Sequence, residues 1–198
     1  LPQPQWNSAD VTGPDPDLDV ARAWFAQRGL PWGVRVPDGL PVPATPHVVT
    51  LRMMATAQRR PGPEVPGLEL RVAGPEDEDV VVATDAEAFG HEAREWMAPM
   101  LAAPGIEVGL ALLDGAPVAT AYTTRSDGRG GPAVMLNGVG VVPAARRRGV
   151  AGALSAWLLA RAPGRVAHLW AEDEEAARVY QRLGFADAGT LRIHEGVR

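Results

Sequence analysis

The stretch VGVVPAARRRGVA, residues 139–151, decides the fold of this chain. An apolar strand runs into Pro143, three arginines follow, and Gly149 precedes a run that is typical of a helix. We place the start of that helix at Ala145. The first backbone N–H groups of a helix lack partners within it, and the helix dipole puts partial positive charge at that end. The strand–turn–helix therefore predicts a site for an anion, and phosphate suits it best.

A surface helix that happens to begin with three arginines is the alternative interpretation, and a basic triplet alone would favour it. The spacing Arg146-x-x-Gly149-x-Ala151, directly after a Val-Pro strand end, is much more restrictive. It favours an anion site in which small residues let the backbone amides approach phosphate oxygens and arginine side chains add charge at the rim.

A second informative stretch is AARVYQRLGF, residues 176–185. Helical spacing places Tyr180 at the edge of one apolar face, which it shares with Ala176, Val179 and Leu183. The phenol would then lie against the strand–turn–helix. A core tyrosine whose hydroxyl binds the backbone is the alternative, but within this motif we favour a catalytic role.

Together the two stretches resemble motifs A and B of the GCN5-related N-acetyltransferases. Motif A carries Gln/Arg-x-x-Gly-x-Gly/Ala after a Val-x-Pro strand end, and motif B ends in Ala-x-x-x-Tyr-x-x-x-Gly-Phe. The interval between them, with one helix and one strand, also fits the family. The resemblance covers residues 68–198. One departure is that Glu174 and Glu175 stand where the family often has an asparagine before the motif B alanines.

The resemblance implies an enzyme that uses acetyl-CoA as its cosubstrate. The backbone of residues 139–142 would pair with the pantetheine arm, the amides of residues 147–151 would hold the pyrophosphate, and an N–H near Val141 would bind the carbonyl oxygen. Tyr180 falls on the family's tyrosine, which protonates the departing thiolate. The residues implied in coenzyme binding are Val139, Gly140, Val141, Val142, Arg146, Arg147, Arg148, Gly149, Val150, Ala151 and Ala177.

Composition narrows the chemistry by exclusion. The 198 residues include no cysteine and no lysine, so all 19 basic residues are arginine. Disulfides, iron–sulfur clusters, thiolate zinc sites, acyl-cysteine intermediates, Walker A loops and lysine Schiff bases are therefore excluded. Ser155 lies within a predicted helix, and no Gly-x-Ser-x-Gly elbow exists. We expect direct attack of a bound amine on the thioester, without a metal.

The general base is not fixed by the sequence. Glu107, on the second predicted strand of the resemblance, ranks first. Asn137 would orient a water or the acceptor, because an amide is not a base. His168 is more typical of a satisfied sheet histidine, and Glu172 and Asp173 of a solvated helix start. A water chain, which many family members use instead of a dedicated base, stays open.

A segment rich in proline and glycine divides the chain at residues 58–67. Its three prolines and two glycines cannot continue a helix or a central strand. We therefore predict a linker between an N-terminal α/β extension, residues 1–57, and an acetyltransferase domain, residues 68–198.

The elements predict an α/β fold. We expect helices at 17–28, 77–89, 92–101, 145–160 and 174–183. We expect strands at 32–36, 48–55, 68–72, 107–113, 118–124, 133–142 and 166–171, with closing strands from Phe185. Antiparallel strands that feed a strand–helix–strand–helix tail predict a mixed, mostly antiparallel twisted sheet with helices on both faces.

Aromatic residues suggest where an acceptor binds. Trp96 lies on the second helix of the resemblance, which in this family commonly borders the acceptor site. Trp32 in the extension and Asn137 complete the predicted acceptor-binding set. The alternative, slightly favoured for the extension, is that its aromatic residues form a small core of their own: Trp6, Trp24, Phe25 and Trp32.

Charge and hydropathy bear on partners. The formal net charge of -5 argues against nucleic acid, and no apolar run approaches a membrane span. No signal peptide is visible, so we expect a cytoplasmic protein. The first-ranked function is acetylation of a small-molecule or peptide amine, and the alternative is a non-catalytic acyl-CoA-binding module. A toxin acting on charged transfer RNA is disfavoured by the acidic charge. Whether the chain forms a homodimer stays open.

Overall fold

The computed structural model describes residue 4 and residues 7–41, 44–128 and 130–196. These residues form nine β-strands and five α-helices, which is a mixed α/β fold. They group into two compact units. The smaller unit takes its described residues from 1–53, 170–172 and 187–198, and the larger unit takes them from 54–169 and 173–186.

The smaller unit holds one helix, two whole strands and parts of three others. They are β1 (Ser8–Asp10), α1 (Leu18–Ala26), β2 (Gly33–Pro37), the first part of β3 (His47–Thr56), the last two residues of β8 (Val166–Ala171) and most of β9 (Ala186–Glu195). β1 is parallel to β2, and β2 is antiparallel to β9. Helix α1 begins after Asp17, whose carboxylate accepts a hydrogen bond of 3.1 Å from the amide of Asp19.

The larger unit holds the remaining elements. Its strands are β4 (Leu68–Ala73), β5 (Ile106–Leu113), β6 (Ala116–Gly128), β7 (Gly131–Val141) and β8 (Val166–Ala171), the last of them up to Leu169. Its helices are α2 (Glu78–Phe89), α3 (Arg94–Met100), α4 (Val150–Ala160) and α5 (Glu174–Arg182). The strand order is β8-β7-β6-β5-β4, and only β7 and β8 run parallel.

β5 and β6, at the predicted strands 107–113 and 118–124, form a tight hairpin. Leu113 pairs with Ala116 across a two-residue turn. In that turn Asp114 and Gly115 have φ angles of 52° and 82°. Positive φ at both central residues is the requirement of the tight hairpin turn that Asp-Gly favours.

Helices cover both faces of the sheet in the larger unit. We call the face under α2 and α3 the upper face, where Val108, Leu110 and Tyr122 belong to one buried cluster with residues of both helices. Gly109 points the other way, and a Cβ there would lie 3.0 Å from atoms of Leu154 and Leu158. Helix α4 therefore packs on the lower face, and α5 contacts α4.

Most predicted elements form near their expected positions, but the start of α4 was wrong by five residues. The helix begins at Val150 instead of Ala145. Pro143–Ala145 forms one separate turn of 3-10 helix. Arg147 and Gly149 then have φ angles of 63° and 87°, which a right-handed helix cannot include. The short strand β1 was not predicted, because three residues show no periodicity.

The predicted linker has no regular secondary structure but packs closely on the larger unit. The amide of Arg60 donates to the carbonyl of Leu183 at 2.9 Å. Pro63 lies against α4, where a Cβ on Gly152 would be 3.1 Å from its ring. The contacts divide the chain after Met53, ahead of this segment. A functional boundary at residues 58–67 stays a prediction.

Candidate active site

The turn between β7 and α4 leaves a row of backbone amides without partners. Ala145 and Arg146 donate to the carbonyls of Val142 and Pro143 at 2.9 and 3.3 Å, and the next such bond runs from Ala153 to Gly149 at 3.0 Å. Among the described residues, no acceptor is found for the amides of residues 147–152. Free donors at the positive end of a helix bind anions, so the turn fits a phosphate group.

The first turn of α4 has no competing negative charge. It contains no acidic residue, and no side chain caps its amides. Its N-cap is Gly149, and a Cβ there would meet Pro63 at 3.3 Å, so the back of the turn is filled. The predicted small residues thus stand at a tightly packed turn.

The three arginines of the turn have different environments. Arg146 donates to the carbonyls of Val141 and Ala88 at 3.0 and 2.9 Å, so its side chain holds the end of β7 to α2. Arg147 forms an exposed ion pair of 2.8 Å with Glu175 on α5. Arg148 is exposed and has no partner within the described part of the chain. Arg148 is therefore the cation that remains free for a ligand.

Strand β7 loses its parallel neighbour halfway along its length. The last pair with β8 joins Met135 to His168, yet β7 continues to Val141. Within the described residues of this unit, residues 136–141 have a paired strand only on the β6 side. We call this stretch the open edge of β7. An unpaired strand edge offers N–H and C=O groups to an extended ligand.

A bulge lies within the open edge. Gly138 and Val139 together stand opposite Ala121, because Asn137 pairs with Tyr122 and Gly140 with Thr120. Gly138 has a φ of 55°, and a Cβ there would be 2.7 Å from the ring of Tyr122. Glycine is required at this position on both counts, and the bulge redirects the strand toward α2.

The backbone of Val141 faces away from β6. The amide of Val142 donates to Val118 on β6 at 2.9 Å, and hydrogen-bonding residues alternate along an antiparallel pair. The carbonyl of Val141 confirms this direction, because it accepts from Arg146 instead. Gly140, between bulge and turn, packs on α2, where a Cβ would lie 2.6 Å from the ring of Phe89.

Tyr180 lies on α5, which packs against α4. Its side chain is 9% exposed, and its ring meets that of Phe185 edge-on with centroids 6.0 Å apart. Burial raises the pKa of Tyr180 to about 12. In the described chain its hydroxyl has no hydrogen-bond partner, so the alternative of a core tyrosine bound to the backbone finds no support.

The start of α5 is well defined. The Asp173 carboxylate accepts from the amide of Ala176 at 2.8 Å and caps the helix. Glu174 and Glu175 occupy the first turn, where the helix dipole favours negative charge. Ala177 is fully buried, so its small side chain serves close packing. Glu172 is exposed.

Glu107 is not brought together with the turn or with Tyr180. Its carboxylate, 17% exposed, pairs with Arg125 at 3.0 Å and also binds Arg161. Arg161 is the residue after α4, whereas the free amides lie before it. Eleven helical residues separate those ends, or about 16 Å. The structure therefore gives Glu107 two ion pairs in place of a free carboxylate.

Polar residues that sequence analysis missed lie on the upper face. Thr120 donates to the carboxylate of Asp85 at 3.1 Å, and burial raises the pKa of Asp85. Burial also raises the pKa of Tyr122 to about 12, while a hydrogen bond with Trp96 acts in the opposite direction. Both groups look like ordinary helix and strand residues in the sequence, so no local pattern marks them.

Trp96 and Asn137, both predicted to bind the acceptor, lie on the upper face. Trp96 is partly buried against the α2–α3 cluster. Asn137 pairs with Tyr122 and donates to the carbonyl of Met135 at 3.2 Å.

Trp32 lies in the core of the smaller unit. Its ring stacks on Phe25 with centroids 5.2 Å apart and is 9% exposed. Trp24 is 48% exposed, and Arg28 stacks over its ring at 3.8 Å. Trp6 lies outside the described residues. The alternative in which the extension's aromatics form their own core thus holds for Trp32 and Phe25.

Comparisons with known proteins agree with this geometry. A family model described as the acetyltransferase (GNAT) family matches residues 77–185. No curated protein matches. A GCN5-related N-acetyltransferase from Kribbella flavida superposes with a TM-score of 0.71 at 22% identity, over 96% of this chain and 81% of that one.

Two further solved structures share the fold. A GCN5-related N-acetyltransferase from Sphaerobacter thermophilus has a TM-score of 0.58 at 21% identity, over 90% of this chain and 65% of that one. An acetyltransferase from Clostridium acetobutylicum, solved with acetyl-CoA, has a TM-score of 0.51 at 18% identity, over 61% of this chain and 91% of that one.

The fold is therefore that of the acyl-CoA N-acyltransferases. Because the family match spans more than half of the 198 residues, the chain belongs to the acetyltransferase (GNAT) family and is an N-acetyltransferase. Enzymes of this family use acetyl-CoA. Among the described helices, none has the length and apolar character needed to cross a bilayer.

Proposed function

We propose that this enzyme moves an acetyl group from acetyl-CoA to a primary amine of a small molecule or peptide, by direct attack within a ternary complex. The observation that carries the proposal is the row of free amides at residues 147–152, next to the open edge of β7. In a family that uses acetyl-CoA, such donors suit a pyrophosphate. The absence of cysteine supports direct attack, because the best acyl-enzyme nucleophile is missing.

The residues of the turn would hold the coenzyme mainly through their backbone. The amides of residues 147–151 would bind the pyrophosphate, and residues 139–142 would pair with the extended pantetheine arm. The side chains of Arg146 and Arg147 are already engaged, with main-chain carbonyls and with Glu175. Arg148 would add the one side-chain contact to phosphate.

Bound acetyl-CoA supplies an activated acyl group and a thiolate leaving group. The amide of Val141 faces the open side of β7, and we assign the binding of the carbonyl oxygen to an N–H in this region. Tyr180 would give its hydroxyl proton to the departing sulfur. Its high pKa keeps the hydroxyl protonated at neutral pH until that charge develops.

The acceptor would bind on the upper face, near Trp96 and Asn137. Trp96 offers a partly buried aromatic wall there, and Asn137 offers an amide. The prediction that Trp32 binds the acceptor rests on the sequence alone, because its ring packs in the core of the smaller unit.

The test measures coenzyme A release with a panel of amines, using a thiol reagent. The enzyme has no cysteine of its own to react with that reagent. We expect turnover by the wild type and a loss of about 10²–10³-fold in kcat for Tyr180→Phe, because a general acid contributes that much. Acetyl-CoA binding, measured by calorimetry, should be the same in both proteins.

Three results would count against the proposal. No binding of acetyl-CoA by the wild type would refute the coenzyme site. Binding without turnover on any amine would indicate a coenzyme-binding module. Full activity of Tyr180→Phe would refute Tyr180 as the proton donor without affecting the proposed coenzyme site.

A further inference from the structure

His168 stands at the point where the sheet opens. It forms the last parallel pair with Met135, and the open edge of β7 begins one residue further on. Met135 pairs in turn with Thr124 on β6, two residues from Tyr122 and therefore on the same side of the strand. Paired residues of neighbouring strands share a face, so His168 lies on the upper face, with the predicted acceptor residues.

This part of the upper face is more accessible than the lower face. On β7, Val134 and Leu136 point downward and are 0% and 2% exposed. Met135 and Asn137 point upward, and both are only partly buried, as is His168. The upper side of the fork between β7 and β8 is therefore partly exposed.

The imidazole of His168 is free to accept a proton. Across the described residues it has no hydrogen-bond partner, so it is not the satisfied sheet histidine that the sequence favoured. Burial lowers its pKa below the ordinary value of 6.5, and no charged group contributes. His168 is thus neutral at physiological pH, as a general base must be.

Few titratable groups face His168 from the neighbouring elements of the larger unit. The residues of β7 on this side, Met135 and Asn137, do not titrate, and neither do the last three residues of β3. β6 contributes Tyr122, and α2 contributes the buried Asp85. Burial raises the pKa of both of these groups, and His91, just after α2, interacts electrostatically with Asp85.

The reaction needs such a group on this side. An acceptor amine arrives as an ammonium ion, which has no lone pair for attack until it loses a proton. Tyr180, the proposed proton donor, lies on α5, which contacts α4 under the lower face. A base on the upper face would take the first proton of the ammonium ion on the side opposite Tyr180.

We propose that His168 is the general base that takes the proton from the acceptor ammonium through water molecules along the open edge of β7. Its strand partner Met135 lies six residues, or about 20 Å, from Val141, which is too far for direct transfer. This inference rests on the proposed acetyl transfer. The acceptor nitrogen loses two protons in forming the amide. Tyr180 gives its proton to the departing sulfur, and the second proton lost by the nitrogen then restores the phenol. The first proton, lost by the ammonium ion, leaves through His168 to solvent, so both side chains end each cycle unchanged.

The experiment compares His168→Gln with the wild type. We expect kcat/KM for the amine to fall about 10²–10³-fold, while the Kd for acetyl-CoA stays within about twofold. In the wild type, kcat/KM should decline toward low pH with one inflection below pH 6.5, and His168→Gln should lose that inflection. His91→Gln is the matched control, because His91 is exposed at the end of α2; its profile should match the wild type.

A measurement on the unmodified enzyme keeps the inference testable if the substitution unfolds the protein. The four histidines can be titrated by NMR, and the resonance missing from His168→Gln identifies His168. If that variant does not fold, the remaining single-histidine variants assign it by elimination. The NMR midpoint should equal the kinetic inflection. An NMR midpoint at or above 6.5, or one that differs from the kinetic inflection, would overturn the inference.

Glu107→Gln separates the two candidate bases. Loss of the acidic inflection in Glu107→Gln, with its retention in His168→Gln, would assign the role to Glu107 and overturn the inference. If the wild type turns over an amine and His168→Gln is equally active, the inference about His168 is overturned, while the proposed acetyl transfer stands. If no amine supports turnover by the wild type, the proposed function fails and the inference fails with it.

Discussion

The three consecutive arginines before α4 have the same side chain but different partners, and therefore different roles. Arg146 is fixed to main-chain carbonyls of β7 and α2, Arg147 is paired with Glu175, and Arg148 is free in the described structure. Only the free guanidinium can bind a phosphate without first giving up a partner. The basic triplet thus contains one structural arginine, one paired arginine and one available for a ligand.

Arg148→Ala should raise the Kd for acetyl-CoA by about 3–10-fold at low salt, because an exposed charge–phosphate contact contributes about 1 kcal/mol. The effect should shrink as salt increases, since exposed charges are screened. Arg147→Ala should have a smaller effect, because its guanidinium is already paired. Calorimetric titration at two salt concentrations measures both.

Arg182→Ala is the control for overall charge. Arg182 is an exposed arginine in the last turn of α5, away from the free amides. If Arg182→Ala weakens acetyl-CoA binding as much as Arg148→Ala, the effect comes from net charge, and the proposed contact between Arg148 and phosphate is refuted.

At the scale of residues, the motif positions could be predicted and their partners could not. Fixed spacing marks Arg146, Gly149 and Tyr180 in the sequence, and their roles stay predictions. The ion pair of Glu107 joins it to Arg161, 54 positions further along the chain. Spacing reports only near neighbours along the chain, so a carboxylate that looks available in the sequence proves to be occupied in the fold.

The two ends of α4 are treated in opposite ways. Its first amides have no partner among the described residues, whereas Arg59 from the preceding proline-rich segment binds one carbonyl in its last turn, that of Leu159, and two carbonyls just beyond it. Arg59 donates to the carbonyl of Ala162 at 2.8 Å and also to those of Leu159 and Arg165. A cation at the negative end of a helix dipole is stabilising. The fold thus completes one end and leaves the other for a ligand.

Arg59→Ala should lower the free energy of unfolding by about 2–3 kcal/mol, because a charged donor to several partly buried carbonyls is lost. The corresponding fall in Tm is roughly 5–10 °C for a domain of this size. Thermal unfolding followed by circular dichroism measures it.

Arg60→Ala is the matched control for that change. Arg60 is exposed and holds Leu183 through its backbone amide, which alanine keeps. Its effect should stay within about 0.5 kcal/mol. Equal stability of Arg59→Ala and Arg60→Ala would show that the proline-rich segment is a passive linker, as its composition first indicated.

At the scale of elements, periodicity predicted the strands and helices but not the start of α4. Runs of apolar residues locate β5, β6 and β7, and the central residues of β5 and β6 are buried on both faces of the sheet. The start of α4 depends on positive φ angles at Arg147 and Gly149. A glycine in the sequence indicates that a positive φ is possible, whereas an arginine does not. The sequence therefore predicts helix for residues 145–149, which lie before the actual start of α4.

At the scale of the larger unit, the residues proposed for the chemistry divide between the two faces of one sheet. Helices α2 and α3, with the predicted acceptor residues and His168, belong to the upper face. Helices α4 and α5, with the free amides and Tyr180, belong to the lower side. The fork between β7 and β8 is the place where a ligand can meet both.

Acetyl-CoA should raise the Tm of the whole enzyme. A ligand that binds only the folded state stabilises it by about 2.7 kcal/mol at 100 times its Kd. For a chain of this size that corresponds to roughly 5–11 °C. Differential scanning calorimetry at increasing acetyl-CoA measures the shift.

Pantetheine is the control ligand, because it lacks the pyrophosphate. At the same concentration it should shift the Tm much less, since the free amides and Arg148 then bind nothing. Equal shifts with both ligands would mean that the turn before α4 is not where the coenzyme is held.

The open edge of β7 also bears on how the purified protein behaves. Unpaired backbone along a strand is a template for another extended chain, and proteins that expose it tend to self-associate. Here a small molecule would cover the stretch that other proteins cover with a strand, a proline or a charge. Protein prepared without coenzyme should therefore aggregate sooner than protein prepared with it, because bound coenzyme would shield this edge from other chains.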